Sequence, residues 1–147
     1  MNLMITGPYG GKLPLELGAS AIMALEHFSK QLDISRLKLT IHLRIHNKLY
    51  MDKELTEGLC EPINNRTFLI DVCLFGNWLS NLAHEMVHVK QFARGELNLG
   101  MDKWKSRKDC GDIEYWSQPW EKEARRLQHK MLISFHEGEE PFKIQSQ

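Results

Sequence analysis

The sequence predicts an α+β fold, a small and mostly antiparallel sheet packed against helices, and three observations lead to it. The stretch from Arg36 to His46 alternates without a break: Leu37, Leu39, Ile41, Leu43 and Ile45 face one way and Lys38, Thr40, His42, Arg44 and His46 the other. Thr67 to Leu74 alternates again, with Phe68, Ile70, Val72 and Leu74 inward and Leu69, Asp71 and Cys73 outward. Such period-2 patterns mark half-buried strands. Three other stretches place apolar residues at three- and four-residue steps, as amphipathic helices do. The order of helix, strands and then helices puts the helices on one face of the sheet.

Taken in order, residues 1–17 carry Gly7-Pro8, Gly10-Gly11 and Pro14, which is turn chemistry behind a short apolar lead-in at Leu3 to Ile5. From Ala19 to Gln31, with Ile22, Met23, Leu25, Phe28 and then Leu32 as its apolar positions, the pattern is that of a helix covering a sheet. On the strand that follows, His42, Arg44 and His46 read as a solvated outer face. Residues 47–65, with Gly58, Pro62 and Asn64-Asn65, read as a connection holding a short strand at Leu49 to Met51. The second strand then leads into a helix from Asn77 to Arg94, whose stripe is Leu79, Leu82, Ala83, Met86, Val89 and Ala93, with Gly95 as its cap. Residues 96–118 form a long loop bordering the site. Pro119 opens a last helix to Phe135 with Trp120, Ala124, Leu127, Met131 and Leu132 as its stripe, and Glu137 to Gln147 is a polar end expected to fray.

Composition bounds the rest. The 147 residues fit one domain spanning 1–147, with 42% hydrophobic and 26% charged residues. Nineteen basic and nineteen acidic residues cancel, so no global basic field draws the chain to nucleic acid, and no built-in nucleic-acid domain is evident. Cys60, Cys73 and Cys110 are too few and too scattered for a disulfide framework or a C-x-x-C knuckle, which suits a reducing compartment. The N-terminus lacks a signal-peptide pattern and no long apolar run is present, so a cytoplasmic protein without a membrane partner is expected.

The stretch that carries chemistry is Asn81-Leu82-Ala83-His84-Glu85-Met86-Val87-His88, which contains H-E-x-x-H within the predicted helix. Residues four apart lie on one helix face, so His84 and His88 can aim at a single metal ion. Glu85 then stands beside an open coordination position, where a carboxylate can deprotonate water. A catalytic zinc site takes three protein ligands, and the downstream donors are Asp109, Asp112, Glu114, Glu121, Glu123, His129 and His136.

The segment Gln118-Pro119-Trp120-Glu121-Lys122-Glu123-Ala124-Arg125 resembles the P-W-E-x-E-A stretch that follows H-E-x-x-H in small phage and bacterial zinc peptidases of the zincin type, related to the gluzincin and SprT-like groups. The resemblance covers about residues 66–128. It implies a zincin-like fold, a zinc cofactor, and a third ligand at Glu121, which with Ala124 matches E-x-x-A-[DN]; Arg125 stands where that pattern has Asp or Asn. Glu123 is the fallback, since residues two apart on a helix point to nearly opposite sides. SprT-like proteins tend to use a third histidine, and none lies between His88 and His129.

The expected function is therefore that of a zinc metallopeptidase, hydrolysing peptide bonds of a protein or peptide substrate through a metal-activated water with Glu85 as general base. Tyr115, or else His129, is the expected oxyanion donor. A substrate strand is expected to pair with the strand from Thr67 to Leu74. Two alternatives stand beside this: a catalytically silent zincin-like zinc-binding or interaction module, and a SprT-like protease acting on DNA-associated proteins. An intact H-E-x-x-H separates the first alternative, since a structural zinc site has no use for a general base.

Overall fold

The computed structural model of the chain describes residues 1–8 and 11–138. Gly10 of the first turn region, and the expected frayed end from residue 139 onward, lie outside the described residues. The elements run β1 (Asn2–Thr6), α1 (Leu15–Gln31), β2 (Thr40–His46), β3 (Tyr50–Met51), β4 (Glu54–Leu55), β5 (Gly58–Pro62), β6 (Thr67–Cys73), α2 (Trp78–Ala93) and α3 (Pro119–His136). The class is α+β, with three helices against a mixed sheet.

The sheet corrects the expectation of a mostly antiparallel one. Its order is β1-β2-β6-β5, with β1/β2 and β2/β6 parallel and only β5 running against β6. β3 and β4 form a separate antiparallel hairpin. The reason is topological: α1 carries the chain from the end of β1 back to the start of β2, and such a crossover makes the strands it joins parallel. A second correction concerns the edge. β6 is an interior strand, and the edge beside α2 is β5, which looked like a connection because Gly58 and Pro62 interrupt its pattern. Proline is tolerated at the end of an edge strand, where its missing N–H breaks no ladder bond.

One face of the sheet meets the helices through Ile41, Leu43, Ile45, Phe68, Ile70 and Val72, all buried. α2 lies centrally, packing on β5, β6, α1 and α3, while α3 packs across α2 and α1. α1 buries Ala21, Ala24, Leu25 and Phe28; Ile22 and Met23, expected on its apolar face, are exposed. Small alanines at the contact let the α1 backbone approach its neighbours, and at about 100° per residue that turns positions 22 and 23 outward. Gly95, with φ +71°, takes the left-handed conformation that ends α2. Beyond it the loop is anchored by Trp104, which is buried with its ring 6.3 Å from that of Trp120 at the start of α3. No helix among the described residues is long and apolar enough to cross a membrane.

Candidate metal centre

α2 and α3 together build the site. His84 and His88, one turn apart on α2, have ring centroids 5.0 Å apart and present Nε2 atoms to the same carboxylate. Glu121, in the first turn of α3, accepts from His84 Nε2 at 3.0 Å through Oε2 and from His88 Nε2 at 2.9 Å through Oε1. One donor atom from each residue lies within 4.8 Å of the others. Two imidazole nitrogens and a carboxylate, largely withdrawn from solvent and converging on one point, form a donor set that fits a divalent transition metal such as zinc.

The outer nitrogens of both rings are also held. His84 Nδ1–H donates to Gln128 Oε1 on α3, and Gln128 Nε2 donates in turn to Ser80 Oγ at 3.1 Å. His88 Nδ1–H donates to Gln91 Oε1 at 2.8 Å. Gln91 Nε2 donates to Trp120 O at 3.0 Å and to Glu123 Oε1 at 3.1 Å, so its amide cannot turn over without losing partners. Buried Lys90 secures Glu123 at 3.0 Å and also reaches Glu96 at 2.7 Å. With Nδ1–H fixed outward on both rings, Nε2 is the atom each ring offers inward.

The electrostatics follow from burial and convergence. Burial alone would lower the basicity of His88, but its hydrogen bond to Glu121 and the carboxylates of Glu85 and Glu121 outweigh that and raise it to about 9. For Glu121 burial favours the neutral acid, and the hydrogen bonds from His84 and His88 reverse this, holding it well below the usual carboxylate range. Glu85 moves the other way, raised by burial against the pull of both histidines. It makes a buried carboxylate with a strengthened affinity for a proton.

Glu85 and His84 border two adjoining cavities of about 380 and 440 Å³ that share Thr56, Gly58, His84, Glu85 and Tyr115. The cleft therefore runs along the edge strand β5. Tyr115, in a single 3₁₀ turn (Tyr115–Ser117) at the end of the loop, donates to Glu121, and burial followed by that carboxylate pushes its hydroxyl up to about 12. It stays a proton donor through the neutral range. The long loop thus borders the cleft, through Met101, Tyr115 and Gln118.

The other donors named from the sequence lie elsewhere. Glu123 points away to Lys90 and Gln91. Asp109, Asp112, Glu114, His129 and His136 are exposed and outside the converging group. Arg125 holds the 3₁₀ turn, donating to Trp116 O at 2.7 Å with its guanidinium 4.8 Å from that ring. Gln91, Gln128 and Gly58 were not singled out by sequence. Gln91 carried a signal, lying three residues after His88 on one helix face, whereas Gln128 meets His84 across 44 residues of chain. Comparison with family models, curated proteins and solved structures finds no match to this chain.

Proposed function

We propose that this protein is a zinc-dependent peptidase of the zincin type. One observation carries the reading: His84, His88 and Glu121 converge while Glu85, outside that group of donors, faces the same cleft. A site built only to hold structure would close itself with a fourth protein ligand. When bound by His84, His88 and Glu121, zinc would supply a Lewis acid that polarises a carbonyl and makes water more acidic.

The chain's own groups account for the remaining steps. Glu85 takes a proton from the attacking water as its oxygen bonds to the scissile carbonyl carbon, and delivers that proton to the amine as the C–N bond breaks. Tyr115 donates to the oxygen on which negative charge develops. β5, the free edge along the cleft, offers main-chain groups to an extended peptide. Three free cysteines suit a reducing, cytoplasmic setting.

Glu85→Gln tests the reading, because it keeps shape and removes the proton acceptor. Zinc content by metal analysis should be unchanged and turnover of an unfolded protein substrate should fall about 100- to 10,000-fold. Equal turnover by both forms would refute the mechanism. Zinc binding by both with cleavage by neither, across a panel of unfolded proteins, would favour the silent binding module.

A further inference from the structure

The sheet face turned away from the helices carries a cavity of about 900 Å³, larger than either cavity at His84. Binding pockets for small molecules commonly span roughly 300–1,000 Å³. His42, Arg44 and His46 rise from alternate positions of β2 to form its floor, Lys48 follows at the end of the strand, and Tyr50 and Phe75 supply flat apolar walls. No carboxylate lines it among the described residues.

The floor is preorganised. Asp71 on β6, only 4% exposed beneath the cavity, accepts from Arg44 Nε and Nη2 at 2.8 Å each and from His46 Nε2 at 2.6 Å. His42 Nε2 is within 3.1 Å of Thr6 Oγ1 on β1. Asp71 cancels one positive charge and fixes the guanidinium plane. Glu61 on β5 also acts on Arg44, from outside the cavity lining. With Arg44 offset by Asp71, Lys48 then sets the sign of the pocket, the His42 and His46 rings add polar ring nitrogens to its floor, and Arg44 keeps Nη1 for a further acceptor. Tyr50 and Phe75 are 58% and 66% exposed, large flat surfaces left in water beside Arg44 and Lys48.

We propose that this cavity binds a small phosphate-bearing ligand with a flat ring, of the size and chemistry of a nucleoside monophosphate. Its phosphate meets Arg44, Lys48 and His42, and its ring lies against Tyr50 and Phe75. Charge complementarity selects the phosphate, and every nucleobase has a face that can stack on an aromatic side chain. The site lies across the sheet from the metal centre and stands independently of the peptidase reading.

Titration calorimetry with adenosine monophosphate, inorganic phosphate and adenosine, on the full chain, tests it. Adenosine monophosphate should bind one per chain, and each half alone should bind at least about tenfold more weakly. Lys48→Glu and Phe75→Ala, both at exposed positions, should each weaken binding about tenfold or more with circular dichroism and zinc content unchanged. Arg44 is left intact because its loss would strand buried Asp71. Absence of saturable binding at millimolar nucleotide would overturn the proposal, as would affinity indifferent to both variants. Tighter binding of a single-stranded oligonucleotide that spans several nucleotides would overturn it in favour of a nucleic-acid surface.

Discussion

Gly58 on β5 lies so close to Glu85 on α2 that a methyl group on its α-carbon would stand 3.2 Å from Glu85 Oε1 and 3.3 Å from Cγ. The edge strand of the sheet and the proposed base are thus in contact across the cleft. Gly58→Ala must push the carboxylate by a few tenths of an ångström. Because displaced catalytic groups are costly, turnover should fall roughly tenfold or more while metal content and melting temperature hold. Unchanged turnover would show that the Glu85 position is not critical.

Tyr115 gives a second test. Its hydroxyl keeps its proton up to about 12, so it can donate throughout the working range. Tyr115→Phe should lower kcat by about 100- to 1,000-fold, the usual cost of one oxyanion donor, with metal content unchanged. A change confined to KM would recast Tyr115 as a substrate contact.

The two acidic residues of α3 should separate cleanly. Glu121→Ala removes a donor of the converging group, whereas Glu123→Ala acts on His88 only through Gln91. Gln91→Ala should weaken metal binding by about 10- to 100-fold, as losing a ligand's outer partner usually does. Glu121→Ala should weaken it more than that. Glu123→Ala should chiefly cost stability, about 1–3 kcal/mol, by removing one carboxylate from buried Lys90, which also pairs with Glu96. Competition titration with a chelator and thermal melts read the two effects; a greater metal loss in Glu123→Ala would reverse the assignment.

The metal-free protein should respond to pH through the same cluster. His88, raised to about 9, contributes stability that is complete below its unfolded value of about 6.5 and is lost as pH rises through about 9. Glu121, held low, contributes stability present above the unfolded carboxylate value and lost only as pH falls below it. Chelator-treated protein should therefore melt at progressively lower temperature between about pH 6.5 and 9. Metal affinity should climb across that window, because binding must displace the His88 proton. A flat melting profile would disprove the proton's place at His88.

What could be read from the chain was local. The alternation of Ile41 to Ile45 and Phe68 to Val72, and the helical spacing around His84, depend on neighbours a few residues away, and an element forms at each, although the first strand begins at Thr40 and leaves the expected Arg36 to Leu39 in the preceding connection. β1 was missed because Leu3 to Ile5 offers too few alternating positions and pairs with Thr40 to Arg44 across the whole of α1. Without β1 the parallel topology was hidden. Asp71 read as solvent-facing because alternation reports which side a residue takes, and it cannot report that Arg44 and His46 will cover that side. The structure brings His84, His88 and Glu121 together, three residues named from their motifs, while Gln128 is a contact between two helices that no local pattern encodes.

The donors of the candidate metal centre come from two helices joined by a long loop. His84 and Glu121 are 37 residues apart, and a cation shared between them would act as a cross-link. Closing a loop of that length removes about 4 kcal/mol of freedom from the unfolded chain in the chain-entropy view, comparable with a good disulfide. A molecule starved of metal would lose this clasp between α2 and α3 and open there first, exposing the segment from Gly95 to Gln118 to the cell's degradation machinery. If the three donors hold metal as proposed, metal supply would then govern the abundance of the protein, because chains without it would be the ones removed soonest.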